Sequence, residues 1–295
     1  MSVTAEAVKA LRERTGAGMM ECKRALVEAN GDLEAAAEIM RKSGLAKADK
    51  KAGRVAAEGV IVIETAADGQ SAAIVEVNSE TDFVAREKDF QAFAAEVAKT
   101  ALAAKPADLE ALLGTRLDSG KTIEETRREL IARIGENIGV RRFELVSSPA
   151  KLATYLHGTR IGTLVCYQGG DEVLGKDLAM HVAAINPQYV SVDDVPADFV
   201  AKEREIEMAK AEAEAQGKKP KEIIAKMVEG RLRKSLAEIA LLGQPFVRDP
   251  ELTVEKLLKQ ADAKVLGFVR YELGAGIEKK QENFAEEVMA QVRGA

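Results

Sequence analysis

The chain has 295 residues, 46% of them apolar and 31% charged, a composition that excludes a disordered chain and gives enough length for two or three packed units. With 43 Lys and Arg against 48 Asp and Glu, the net charge of −5 argues against a general nucleic-acid binder, which needs a basic face for phosphates, and leaves only a local basic patch open. Aromatics reach only 4% and Trp is absent, so base-stacking platforms and sugar-binding clefts are poorly supplied. No apolar run approaches the ~20 residues of a membrane span. The first ten residues carry Glu6 and no basic stretch leading into an apolar one. The expectation is a cytoplasmic chain with no membrane and no direct nucleic-acid partner.

Residues 3–44 read as three short helices. Val8 and Leu11 begin the first, which ends toward Gly16; Met19, Met20, Ala25 and Leu26 belong to the second, stopped at Asn30-Gly31. Asp32 is an N-cap for the third, with Leu33, Ala36, Ala37 and Met40 on one side and Gly44 past its end. A unit of this size buries little, so its apolar face invites a partner. The stretch that follows, with Lys47, Lys50, Lys51 and Arg54 opposed only by Asp49, reads as a solvated linker helix.

A repeated order comes next. Gly59–Thr65 and Ser71–Asn78 alternate as strands around an Asp68-Gly69 hairpin signal. A helix with Phe90, Phe93, Val97 and Ala101 on one face follows, then a second over Ile123–Glu136 and a strand from Gly139. Strands at 152–157 and 163–168, helices at 174–185 and 252–260 and a strand at 265–273 repeat the pattern. Two copies of ββααβ predict an internal duplication, two small antiparallel sheets each covered by helices on one face. The second copy is interrupted by an antiparallel helical hairpin over 198–238. Its stripe of Ile223, Ile224, Met227, Val228, Leu232 and Leu236 must dock on its own core or on a second copy. A terminal helix with Phe284, Val288, Met289 and Val292 is predicted over Glu282–Val292.

Few residues suggest chemistry. There are two Cys and two His, with no CxxC and no HExxH, so neither a metal site nor a cofactor is expected. Cys22 and Cys166 read as reduced, packed thiols. Gly170–Lys176 nearly spells a phosphate-binding loop, but Asp177 stands where Ser or Thr would hold Mg²⁺, and Asp171 and Glu172 would repel phosphate. It reads instead as a hairpin exit into a helix. His181 sits among apolar neighbours and reads as a core or interface histidine, whereas His157, at a strand end before Gly158, suits binding. No nucleophile, base and oxyanion donor assemble, so an enzyme is not expected. The most informative segment is Asn78–Arg86, between a strand and a helix. Either Ser79 or Thr81 caps the helix and Phe83 begins its apolar stripe (83, 90, 97), or Asp82-Phe83 projects with Phe83 as an apolar anchor.

At this segment a resemblance becomes specific. Thr81-Asp-Phe-Val-Ala after Val77-Asn resembles the signature of the elongation factor Ts family. So do Leu11–Met20 with Cys22–Leu26, Lys51-Ala-Gly, Gly135-Glu-Asn-Ile, His157–Gly162, Ala179–Ala184, Lys226–Arg231, Gly243–Val247 and Gly276-Ile-Glu-Lys, in family order across almost the whole chain. The resemblance implies an α+β fold: an N-terminal three-helix module like a ubiquitin-associated fold, the duplicated ββααβ core with antiparallel sheets, the inserted hairpin and a C-terminal helix. The boundaries expected are 1–45 for the docking module, 46–58 for a basic linker, 59–148 and 149–273 for the two core subdomains with the hairpin at 198–238, and 274–295 for the C-terminal module. It further implies a guanine-nucleotide exchange factor that binds elongation factor Tu, GDP-bound and nucleotide-free. Thr81, Asp82, Phe83 and Val84 would be the segment that dislodges the partner's Mg²⁺, and Met19, Met20 and His157 further contacts. The hairpin would support a homodimer. The competing reading is an adaptor built on the three-helix module, which leaves the duplicated core unexplained.

Overall fold

The computed structural model describes residues 3–215 and 220–278. The helix expected at Glu282–Val292 and the hairpin turn at 217–219 lie outside the described residues. The described residues divide into two compact units: the first takes Val3–Val60, Val75–Phe143 and Glu272–Glu278, the second Ile61–Ile74 and Glu144–Tyr271.

Three helices open the first unit: α1 (Ala5–Thr15), α2 (Met19–Glu28) and α3 (Leu33–Lys51). Thr4 caps α1 by accepting from the Ala7 amide, and Gly16 ends it at φ 67°, where a glycine carries no Cβ penalty. Asp32 Oδ1 accepts from the Ala35 amide at 2.9 Å and starts α3. Val8, Leu11, Cys22, Ala25, Leu26 and Ala36 form their common core. The expected stop at Gly44 is not used. A Cβ at Gly44 would stand 2.9 Å from the Ala132 Cβ, so this glycine lets two helices approach closely, and α3 continues through the basic stretch. That stretch is therefore helical only as far as Lys51, with Arg54 beyond the helix, and it is not wholly solvated, since Ala48 is buried and Lys51 Nζ donates to the Gly135 carbonyl.

The first sheet holds β1 (Glu58–Thr65), β2 (Ser71–Ser79) and β3 (Ile138–Ser147) in the order β1-β2-β3. The central β2 is buried along nearly its whole length, which explains its near-continuous apolar run. Gly59, at φ 133°, lets β1 cross closely: a Cβ there would meet the Val77 carbonyl oxygen at 2.1 Å. After β2 come α4 (Asp82–Ala85), α5 (Lys88–Ala104), α6 (Leu109–Gly114) and α7 (Ile123–Ile134). Phe90, Phe93, Val97 and Ala101 of α5 and Leu130 and Ile131 of α7 are buried, as their periodicity requires. The short α6, capped by Asp108, was not legible as a helix.

A second sheet repeats the plan. β4 (Lys151–His157) pairs antiparallel with β5 (Ile161–Gln168), and β8 (Lys264–Glu272) completes the order β4-β5-β8. Between them run α8 (Glu172–Ile185), α9 (Ala197–Ala215), α10 (Lys221–Ile239), the small hairpin β6 (Pro245–Phe246) and β7 (Asp249–Thr253), and α11 (Val254–Gln260). Val165, Leu178, Val182, Leu241, Val254 and Leu258 make the core. The phosphate-loop look-alike is the entry to α8. Asp171 Oδ1 accepts from the Leu174 amide at 2.8 Å, so a carboxylate fills the helix start where a phosphate would sit.

The α9–α10 hairpin is present, but its stripe is less bare than expected. Ile224 and Val228 bury against Ala211 and Ala215 of α9, and Leu232 and Leu236 against Val195. Ile223 remains 48% exposed, and Phe199 and Ile206 on α9 are also exposed. No helix among the described residues is long and apolar enough to cross a membrane.

Candidate partner-binding site

The segment from Ser79 to Arg86 leaves the buried end of β2 and turns into α4. Thr81 caps this one-turn helix by accepting from the Val84 amide at 3.4 Å, and Ser79 Oγ donates to the Thr81 carbonyl at 2.9 Å. Arg86 Nη2 donates to Asp82 Oδ2 at 2.7 Å across the same turn. Val84 and Ala85 are buried and anchor the turn from below, while Phe83 is 76% exposed. The reading of Phe83 as the first residue of the α5 stripe is thereby overturned. Arg86 and Glu87 interrupt the helix, α5 restarts at Lys88 with a new phase, and the 83/90/97 spacing no longer describes one face.

Two residues without an assigned role hold this turn. Both oxygens of Glu136 accept from Thr81, Oε2 from the amide at 2.9 Å and Oε1 from the hydroxyl at 2.7 Å. The next amide, of Asn137, donates to Glu80 Oε1 at 2.6 Å, and Asn137 Nδ2 donates to the Arg54 carbonyl at 2.7 Å. The signal was present in the sequence as Gly135-Glu-Asn-Ile, but a carboxylate after a helix-ending glycine reads by itself as a solvated loop.

Met19 and Met20 lie at the start of α2, 58% and 65% exposed, on the same unit as the turn. His157 belongs to the other unit. It ends β4 opposite Ile161, is exposed, and its Nδ1 lies 3.2 Å from Tyr155 Oη. The structure thus joins Thr81, Asp82, Phe83 and Val84 into one turn, with Met19 and Met20 together on α2 and His157 at the end of β4. Among the described residues no three His, Cys, Asp or Glu side chains group so as to hold a metal ion.

His181 is a satisfied core residue. Val247 N–H donates to its Nδ1 at 3.1 Å, so the ring proton sits on Nε2 and is donated to Gln244 Oε1 at 2.9 Å. Gln244 Nε2 donates onward to the Glu238 carbonyl at 2.7 Å. Burial holds the imidazole below its ordinary value of 6.5, against the Gln244 contact, which raises it. The unfolded chain takes up a proton as the pH falls through 6.5 and the folded one does not, so His181 contributes stability that is complete above 6.5 and is lost below it. His181→Leu should destabilise by about 1–3 kcal/mol at neutral pH, the cost of unpaired buried partners. It should also flatten the decline in melting temperature below pH 6.5; an unchanged decline would show that another group carries it. Cys22 is buried and Cys166 is half-buried, where burial pushes its thiol up and disfavours the reactive thiolate.

Sequence comparison places this geometry. The family model described as "Elongation factor TS" matches residues 80–275, from the acid that anchors the turn to the end of the second sheet and beyond. The chain belongs to the elongation factor Ts family. It is 60% identical over 293 residues to "Elongation factor Ts" of Halorhodospira halophila, covering 99% of each chain. To the proteins of that name from Methylococcus capsulatus and Alkalilimnicola ehrlichii it is 59% and 58% identical over 296 residues, each covering both chains in full. Membership makes the chain a translation elongation factor, and the α+β duplicated fold is the one the family resemblance implied.

Proposed function

We propose that the chain is a guanine-nucleotide exchange factor: it binds elongation factor Tu carrying GDP, displaces the bound Mg²⁺ and promotes GDP release so that GTP can bind. The observation that carries this reading is the exposed Phe83 on a turn whose backbone is capped and braced. GDP is held in large part through its phosphates and a bridging Mg²⁺. A factor that packs an apolar ring into the partner favours a distorted, Mg²⁺-poor pocket, and distortion of this kind needs packing rather than acid–base chemistry. Coupling is reciprocal, so GDP and later GTP weaken the factor's hold by the same free energy, and the factor turns over.

In this reading Thr81 and Asp82 shape the turn, Phe83 is the wedge and Val84 its anchor. Met19 and Met20 make the three-helix unit of residues 1–45 a docking module, and His157 adds a contact from the second core subdomain. Residues 59–148 and 149–273 form the two subdomains, with the hairpin at 198–238 and the C-terminal module at 274–295. Self-association through the hairpin would rest on Phe199, Ile206 and Ile223, the apolar side chains it leaves exposed. Sedimentation of the intact chain as a monomer, alone and in complex, would remove it.

The deciding measurement is release of labelled GDP from purified elongation factor Tu with and without the chain. Release is expected to accelerate at least tenfold, and lowering free Mg²⁺ should narrow the difference. A trace that the chain leaves unaltered at saturating concentration would reject the proposal.

A further inference from the structure

We infer that Glu136 is a positioning residue for exchange: it sets the conformation in which the Thr81–Val84 turn offers Phe83 to the partner. The inference rests on the reading of that turn as the exchange segment. A four-residue helix has no stability of its own, because nucleation fixes several residues for a single hydrogen bond. Something outside α4 must hold it. Glu136 does so through one residue, Thr81, taking its amide on one carboxylate oxygen and its hydroxyl on the other, at 2.9 and 2.7 Å. Because the Thr81 hydroxyl gives its only proton to Glu136, its lone pairs are left for the Val84 amide, which donates to it at 3.4 Å. The carboxylate therefore orients the cap, and the cap orients the turn that carries Phe83. Charge-assisted bonds of this kind are stronger than neutral ones.

The brace reaches further. Asn137 donates through its amide to Glu80, on the other side of the turn, and through Nδ2 to the carbonyls of Arg54 and Ala52 at 2.7 and 3.4 Å. Lys51, at the end of α3, donates to the Gly135 carbonyl. Residues 135–137 thus hold the Phe83 turn and the exit of the three-helix unit together. Glu136 lies outside the apolar core, and it contributes by pre-organisation: the ordering of the turn is completed before the partner arrives and is not charged against binding.

The test uses the full chain with three substitutions, Glu136→Ala, Glu136→Gln and Phe83→Ala, and the Glu136→Ala/Phe83→Ala double variant. In Glu136→Ala, amide hydrogen exchange at Thr81 and Val84 should speed at least tenfold while the amides of α5 and β2 keep their protection. Stimulated GDP release should fall about tenfold, with less change in affinity for the nucleotide-free partner. Glu136→Gln should recover part of the loss, since its amide oxygen still accepts one of the two Thr81 donors. If Glu136 acts through the turn, adding Glu136→Ala to Phe83→Ala should lower the rate by less than twofold more. Fully multiplicative losses, or unchanged release in Glu136→Ala once Thr81 is deprotected, would overturn the inference and leave the exchange reading standing. An unchanged rate in Phe83→Ala alone would instead bring down the reading of that turn as the exchange segment, and this inference with it.

Discussion

Phe83→Ala is expected to slow stimulated GDP release at least tenfold while leaving stability within about 0.5 kcal/mol of the parent chain, the range of surface substitutions. The two effects separate because the ring is 76% exposed and belongs to no core of this chain, while the backbone of its turn is fixed by Thr81, Val84 and Glu136. A tenfold rate effect corresponds to ~1.4 kcal/mol, within the range of a single aromatic anchor at a protein interface. Had Phe83 been the first residue of the α5 stripe, its truncation would remove about 3–5 kcal/mol of stability. A thermal melt and a release trace on the same preparation distinguish the cases. A melting temperature that drops steeply, with exchange lost only in proportion to the folded fraction, would return Phe83 to the core. Asp82→Ala should act in the same direction more weakly, because its pair with Arg86 is a solvent-exposed i,i+4 contact.

The largest effect on stability is expected at Glu76. This carboxylate is 0% exposed in the middle of β2 and accepts from Arg141, Arg142, Asn78 and the Gly274 amide. Burial pushes the carboxyl up, but the Gly274 amide and the bonds from Arg142, Asn78 and Arg141 together outweigh it and hold it below the usual carboxylate range. Removing the carboxylate with Glu76→Ala leaves two guanidinium groups and a backbone donor facing one another, and breaking a buried pair in this way costs about 3–5 kcal/mol. A loss under about 1 kcal/mol in denaturant unfolding would show that solvent reaches the cluster and compensates. The pH dependence has a definite sign. The folded chain keeps Glu76 ionised below the ordinary glutamate value of 4.5, and the unfolded chain does not. Its contribution is thus complete above 4.5 and disappears as acid protonates the folded carboxyl. Glu76→Gln should lose stability at neutral pH and show a shallower acid limb than the parent.

What could be read without coordinates follows the range over which each signal acts. The strands β1 and β2, the faces of α5 and α7 and the Asp32 cap depend on neighbours a few positions away, and periodicity states them. Gly44 does not end α3 as its position suggests, because a glycine serves equally well to end a helix or to admit a neighbouring one, and only the approach of Ala132 decides between them. The short β6 and β7 offer too few residues for any alternation to register. Phe83 was ambiguous because the break at Arg86 and Glu87 shifts the helical phase without a proline or glycine to mark it. The roles of Glu136, which lies within the Gly135-Glu-Asn-Ile motif, and of Glu76 are not legible for one reason: their partners are remote in the chain, 55 positions away for Thr81, 65 for Arg141 and 198 for Gly274. The family motif marked Thr81–Ala85 as important, and the geometry supplies what holds it.

The bond between Glu76 and the Gly274 amide has a consequence for the order in which the chain can fold. Among the described residues the first unit is assembled from Val3–Val60, Val75–Phe143 and Glu272–Glu278, so it cannot close when Phe143 has been made. At ~5–20 residues per second the ribosome needs roughly 7–26 s more to deliver Gly274. During that interval Glu76, Arg141 and Arg142 are present without the amide that completes their cluster. The second unit, drawn from Ile61–Ile74 and Glu144–Tyr271, waits almost as long, until Tyr271 is made. Closure of so long a loop adds an entropic barrier that local pairings do not face. Neither unit can therefore close before synthesis passes Tyr271, and the Glu76 cluster is completed only when Gly274 arrives.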